Sequence, residues 1–255
     1  QYHNVLLLSR SPLADSTLVT PTLVCDEVSP TADERGNGLR LILRWAVECL
    51  APGAIDYPFG RERPYDDPTW IQPAWWRYNI LRHRYIEPLH PDEFFEGGRY
   101  TETLMALTGI PNQDAFFDER NRAIRDVGHW LRGQAADGAA TAMLQQQALD
   151  AVYQPLEAFP VAKHILGIAA TFTDVFPRSL LADIAKSEGI ADVNDSIDLL
   201  VARRCLLVGD DGATLWLSPP LRTYVTHRQE KHRRRIRHLG IGSFYVEAGE
   251  PVNAA

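Results

Sequence analysis

FTDVFPRSLLADIAKSEGI at 172–190 and DSIDLLVARRCLLVGDDGATLWLSPPLRTYV at 195–225 decide the fold. In the first, Pro177 opens a helix over 178–186 that stops at Gly189, because proline suits a first helical turn and glycine accepts the backbone needed past a helix end. Asp192, Asn194 and Asp195 offer capping groups to the next helix, which carries Ile197, Leu199, Leu200 and Val201 inward. The stretch 205–208 then reads as an apolar strand, Gly209-Asp210-Asp211-Gly212 as a hairpin turn, and 214–217 as the returning strand. Another helix starts after Ser218 with Pro219 and Pro220 in its first turn, and an apolar helix over 161–171 precedes the whole set.

Three helices followed by a hairpin is the winged-helix order, a relative of the helix-turn-helix. Duplex DNA is the obvious partner for such a module, yet the third helix leads with Asp192, Asp195 and Asp198. Those carboxylates would face phosphates, and Arg203 and Arg204 sit at the helix's other end.

Upstream, the small polar stretch 134–140 marks a domain boundary, and a connecting helix, interrupted by Pro155, follows over 141–156. Asn4 to Arg10 (NVLLLSR) reads as a short buried strand and 22–25 as a second. A helix over 39–50 precedes a loop, 51–76, that holds five prolines and the aromatics Tyr57, Phe59, Tyr65, Trp70, Trp75 and Trp76. A loop of that length is a lid or an insertion packed by its own rings. YIEPL at 85–89 reads as another core strand, with Pro91, Asp92 and Glu93 opening a helix, and further helices cover 101–107 and 113–131. The expected fold is mainly α with minor β. A partial α/β and helical-lid region spans 1–135 with an insertion at about 11–84. A connecting helix plus winged-helix domain spans 141–227, and a basic helix and tail span 228–255.

With 45% hydrophobic and 23% charged residues over 255 positions, the chain is neither disordered nor fibrous. Three cysteines without a CxxC pair suggest no disulfide framework and no zinc site, which fits a reducing cytoplasm. Apolar runs such as Val5–Leu8 stop at strand length, so no membrane span is expected. The chain begins with Gln and enters an apolar run at once, so it reads as a fragment of something longer. No GxSxG, no histidine pair with a nearby acid and no cysteine beside a histidine is present, so no catalytic residue and no metal ligand is assigned.

The two quoted stretches resemble the winged-helix segment of STAND signal-transduction NTPases, the NB-ARC and NACHT relatives. The likeness lies in the Phe176-Pro177 start, the Leu-rich third helix, the turn, and the close at Leu217-Ser218-Pro219-Pro220-Leu221-Arg222, followed two residues on by Tyr224. Val5–Leu8 with Ser9 and Arg10 is similar to that family's sensor 1 strand, and 85–94 to its step into the helical lid. The resemblance implies a regulatory piece of an ATP-dependent signalling switch in which the winged helix couples nucleotide state to a downstream domain. Ser9, Arg10 and Ser218 would meet ATP or ADP with Mg²⁺, only together with the missing upstream region. The implied partners are an upstream P-loop domain and a downstream sensor domain, with oligomerisation on activation. The chain departs from the family in lacking G-x-x-x-x-G-K-[ST] and in placing Ser218 where relatives often carry histidine.

A net charge of −7 hides an asymmetry: 222–240 carries +6, leaving −13 for the rest. Arg228, Lys231, Arg233, Arg234, Arg235 and Arg237 are therefore candidates for nucleic-acid or partner contact. They support the alternative reading, a winged-helix transcription regulator whose N-terminal domain binds a ligand.

Overall fold

The computed structural model describes residues 2–26, 29–89, 99–135, 138–229, 235, 237 and 241–242, without the side chains of 99, 138 and 139. The chain forms two units, 1–20 with 31–144, and 21–30 with 145–255, so the boundary falls inside one helix. Among the described residues the fold is mainly helical with one small antiparallel sheet of three strands.

The first unit holds α1 (Val5–Ser9), α2 (Ala32–Glu48), α3 (Trp76–Leu81), α4 (Arg99–Thr108), α5 (Gln113–Gln134) and the start of α6 (Gly138–Tyr153). Among its described residues there is no strand, which corrects the expected α/β character. NVLLLSR is helical because Asn4 Oδ1 accepts the Leu7 amide at 3.0 Å, capping a turn. Of its four aliphatics only Leu8 is buried. YIEPL is likewise no strand: Arg82–Ile86 extends α3 as a π-helical turn, and Glu87 leaves the helix because Pro88 disfavours helical backbone before it. The helix start at Pro91, Asp92 and Glu93 lies outside the described residues.

α2 begins seven residues before the hydrophobic pattern does. Thr31 Oγ1 accepts from the Glu34 amide at 3.2 Å while Glu34 Oε2 accepts from the Thr31 amide at 2.7 Å, a reciprocal cap that starts the helix on polar residues. α1 packs on this early part of α2. Arg40 donates to the carbonyls of Tyr2 (3.2 Å) and His3 (3.1 Å), and Gly36 lies against Val5. The 51–76 loop is packed by its own rings and by α3. Trp70 and Trp75 are buried, the former with Ile80, Leu104 and Phe116, the latter with Tyr78, Leu81 and Ala123.

The second unit continues from α6 through α7 (Pro160–Ala169), β1 (Phe176–Pro177), α8 (Arg178–Ser187), α9 (Val193–Ala202), β2 (Leu207–Val208), β3 (Thr214–Trp216) and α10 (Pro219–His227). The strands order β1-β3-β2, with Phe176 opposite Leu215 and Leu207 opposite Trp216. β1 was not legible as a strand, since two residues carry no alternation. α8 ends as the sequence indicates: Gly189 takes φ 79° and the Ile190 amide returns to Ala185 O at 3.1 Å. The hairpin turn is closed by Asp211, whose Oδ1 accepts from the amides of Ala213 (3.0 Å) and Thr214 (2.9 Å) and from Thr214 Oγ1 (2.7 Å). Residues 22–25, expected as a strand, instead end a 3₁₀ turn (Thr20–Thr22) and run on without regular structure, with Val24 and Cys25 buried.

Two glycine replacements separate packing from propensity. A Cβ at Gly36 would lie 2.2 Å from Val5 O, so Gly36→Ala must displace α1 and lower stability by about 1–3 kcal/mol. In α5 a Cβ at Gly128 meets nothing within 4 Å, and Gly128→Ala raises stability by about 0.5–1 kcal/mol. Urea unfolding of both variants checks the opposite signs.

Candidate functional site

Ser9 and Arg10 belong to one unit and Ser218 to the other. The Ser9 hydroxyl donates to Leu6 O at 2.9 Å within α1. Arg10 caps the end of that helix, is exposed, and its guanidinium has no hydrogen bond or ion pair among the described residues. The strand edge that would have aimed both at a phosphate is a helix end.

Ser218 is buried at the start of α10, where Pro219 and Pro220 remove the first two amide donors. A serine at this position ordinarily accepts an amide of its own helix. Here the side chain makes no cap, and its Oγ donates to Val24 O. Nearby in sequence to Val24, Asp26 Oδ2 accepts from Arg204 Nη2 at 3.1 Å, and Asp26 Oδ1 takes the Ser29 amide at 2.9 Å. Arg204 reaches this position from a left-handed residue (φ 55°) just past α9, a conformation costly for a non-glycine side chain. The segment 21–26 is thus held by a buried hydroxyl and an ion pair, both from the part of the chain that carries α9 and α10.

The leading end of α9 is acidic and its cations are engaged. Asp192, Asp195 and Asp198 are exposed, Asp198 pairs with Arg178 at 2.7 Å, and Arg203 lies 4.8 Å over the Phe159 ring. Asp192 does not cap the helix with its side chain; it takes left-handed backbone (φ 53°) and offers its carbonyl to the Ser196 amide at 3.2 Å.

Of the six basic candidates, Lys231, Arg233 and Arg234 lie outside the described residues, and Arg235 is exposed. The other two are used internally. Arg228 stacks 3.5 Å from the Tyr224 ring centroid and pairs with Asp150 at 3.1 Å. Asp150 also accepts from the Tyr224 hydroxyl; burial first, and this bond second, push that phenol up to about 12. Arg237 is buried: Nε donates to Glu188 Oε1 at 2.9 Å, Nη1 to Gln229 at 3.2 Å, and Nη2 lies 2.7 Å from His164 Nε2. Burial works to raise the Glu188 carboxyl, but the bonds from Arg237 and His164 outweigh it and hold it below its ordinary value. Lys163, His164, Arg228 and Arg237 line an open groove of about 310 Å³ beside α7 and the end of α10.

The first unit buries two guanidiniums that sequence reading did not single out. Arg63 donates to Asp67 (2.5 Å), Asn79 (2.7 Å) and Thr69. Arg82 donates to Glu87 (2.6 and 2.9 Å), Tyr57 O (2.5 Å) and the Tyr78 hydroxyl (2.8 Å). His83 lies beneath Trp70, ring centroids 4.7 Å apart, with Nδ1 3.1 Å from Glu87 O and Nε2 without a partner. Burial, then the positive charge of Arg82 and Arg63, push its imidazole down to about 3, so it is neutral in the folded protein. Among the described residues no cluster of histidine, cysteine and carboxylate side chains could hold a metal ion. No helix among them is long and apolar enough to cross a membrane.

No protein-family model, no curated protein and no solved structure matches this chain.

His83 gives the first unit a pH dependence of known sign. An unfolded imidazole titrates near 6.5 and the folded one near 3, so the unfolded state binds the extra proton between those values and stability falls as pH drops below about 6.5. The slope from this one group approaches about 1.4 kcal/mol per pH unit. Urea unfolding between pH 7 and 5 measures it, and His83→Gln should flatten the part that His83 contributes.

Proposed function

We propose that the second unit is a winged-helix docking module from a STAND-type regulatory switch, one that holds a peptide of its own chain and does not read DNA. The order α7, β1, α8, α9, β2, β3, α10 with strands β1-β3-β2 supports the winged-helix part of this reading. The observation that carries the docking role is the pair of contacts from Ser218 to Val24 and from Arg204 to Asp26. Ser218 is the residue that the family resemblance assigns to nucleotide, and its one proton is committed to a peptide carbonyl.

Ser9, Arg10 and Ser218, the residues the resemblance assigns to nucleotide, do not form a site for ATP or ADP on their own. A phosphate site at a helix start needs free amide donors, and α10 opens with two prolines. Nucleotide binding therefore belongs, in this reading, to an upstream P-loop domain, with a downstream sensor domain as the second partner. The switch has two states, with 21–26 docked or released. An effector shifts their balance only by as much as it binds one better than the other. The acidic leading end of α9 argues against the DNA alternative, since it would meet phosphate with like charge.

Hydrogen exchange on the full chain tests the docking. Removing the Ser218 hydroxyl leaves the buried Val24 carbonyl unpaired, at a cost of about 1–3 kcal/mol. Ser218→Ala with Arg204→Gln should speed exchange over 21–26 about tenfold or more while α7 keeps its protection. Unchanged exchange over 21–26, or duplex-DNA binding with a steep salt dependence, sinks the proposal.

A further inference from the structure

We infer that the groove beside α7 and the end of α10 is a binding site for a compact, multiply charged phosphate anion. Its lining includes Lys163, His164, Arg228 and Arg237 and no carboxylate. At about 310 Å³ it stands at the lower end of the range of small-ligand pockets, the size for a phosphate group or two rather than a large organic molecule. The inference does not depend on the docking of 21–26, because none of those residues lines the groove.

The floor is built. Arg237 is buried and is fixed by Glu188 on one side and Gln229 on the other, and Gln229 Nε2 in turn donates to Gly167 O at 2.8 Å. Gly167 sits mid-helix in α7, where glycine costs about 1 kcal/mol against alanine. A Cβ there would lie 3.0 Å from Arg237 Nη1, so the bare backbone is what lets the guanidinium lie against the helix.

Two partly exposed cations complete the walls. Lys163 pairs with Glu157 at 2.6 Å and Arg228 with Asp150 at 3.1 Å, and all four side chains are a third or more exposed. Ion pairs of that kind contribute about 0–1 kcal/mol, so a doubly or triply charged anion in the groove can recruit both heads at small cost. Arg228 offers a planar fork suited to phosphate oxygens, Lys163 a point charge.

Titration calorimetry of inorganic pyrophosphate into the full chain at low salt tests this. Saturable binding is expected, weakened at least tenfold in Lys163→Gln/Arg228→Gln and unchanged in Lys186→Gln, an exposed cation on α8. Lys163→Gln alone should give an intermediate loss, which keeps the test valid should the double variant fold poorly by circular dichroism. ATP as a second probe distinguishes the source. Competition with pyrophosphate and equal sensitivity to the double variant mean that the phosphate chain is what is recognised, free or nucleotide-borne. No saturable binding, equal affinity in the double variant, or an equal loss from Lys186→Gln would overturn the assignment.

Discussion

A guanidinium leaves water at tolerable cost only where acceptors meet its N–H groups, and two such groups tie the first unit's long loop to α3 and the turn that follows it. Arg82 is almost wholly buried, and its donors reach Glu87 one turn on, the Tyr78 hydroxyl one turn back, and the carbonyl of Tyr57. Arg63 comes from the loop itself and is met by Asp67, Thr69 and Asn79. A long loop with no regular hydrogen bonding is thereby fixed at both of its polar ends to one short helix. Trp70 lies under the Arg63 guanidinium at 3.9 Å and Phe59 4.9 Å from that of Arg82, so the loop's rings pack against cations as well as against one another. Breaking one partner would strand a buried charge, which costs far more than a surface ion pair yields.

The same cations set the chemistry of their surroundings. Two positive charges near His83 and an aromatic face over it leave a neutral imidazole as the form the site tolerates. The loop tryptophans are largely used in this packing, though Tyr65 stays exposed: Trp70 and Trp75 are buried, and the Trp76 indole donates to Thr108 O at 2.9 Å. A ring that is already enclosed and hydrogen-bonded offers no stacking face to a ligand.

The structure was legible from sequence where its signals are local. Gly189 and the Asp211-Gly212 turn act within four residues, so the end of α8 and the hairpin lie where the residues put them. α1 misleads because four aliphatics in a row have no period. The informative residue was Asn4, whose cap decides for a helix. YIEPL misleads because β-branched and aromatic residues also pack well on a helix, and the helix ends there only because of Pro88. The sequence reading gave Ser218 to nucleotide, and its partner Val24, 194 residues away, carries no mark of the contact. The burial of Arg63, Arg82 and Arg237 was invisible for a deeper reason: a sequence shows that a residue is charged, not that enough acceptors will converge to let it be enclosed.

That last point governs how the charge asymmetry should be understood. A run of arginines reads as one surface for an external polyanion, yet Arg228 and Arg237 each answer to a carboxylate from elsewhere in the same unit, Asp150 and Glu188. Those carboxylates belong to the acidic body whose −13 offsets the basic stretch. Part of the basic charge is therefore neutralised at contact distance, where Coulomb attraction is strongest and salt screens it least. What such a stretch attracts is decided by which cations remain weakly paired at an opening. Partial exposure of Lys163 and Arg228, set against the enclosure of Arg237, is what distinguishes a groove able to exchange its counter-charges from a structural ion pair.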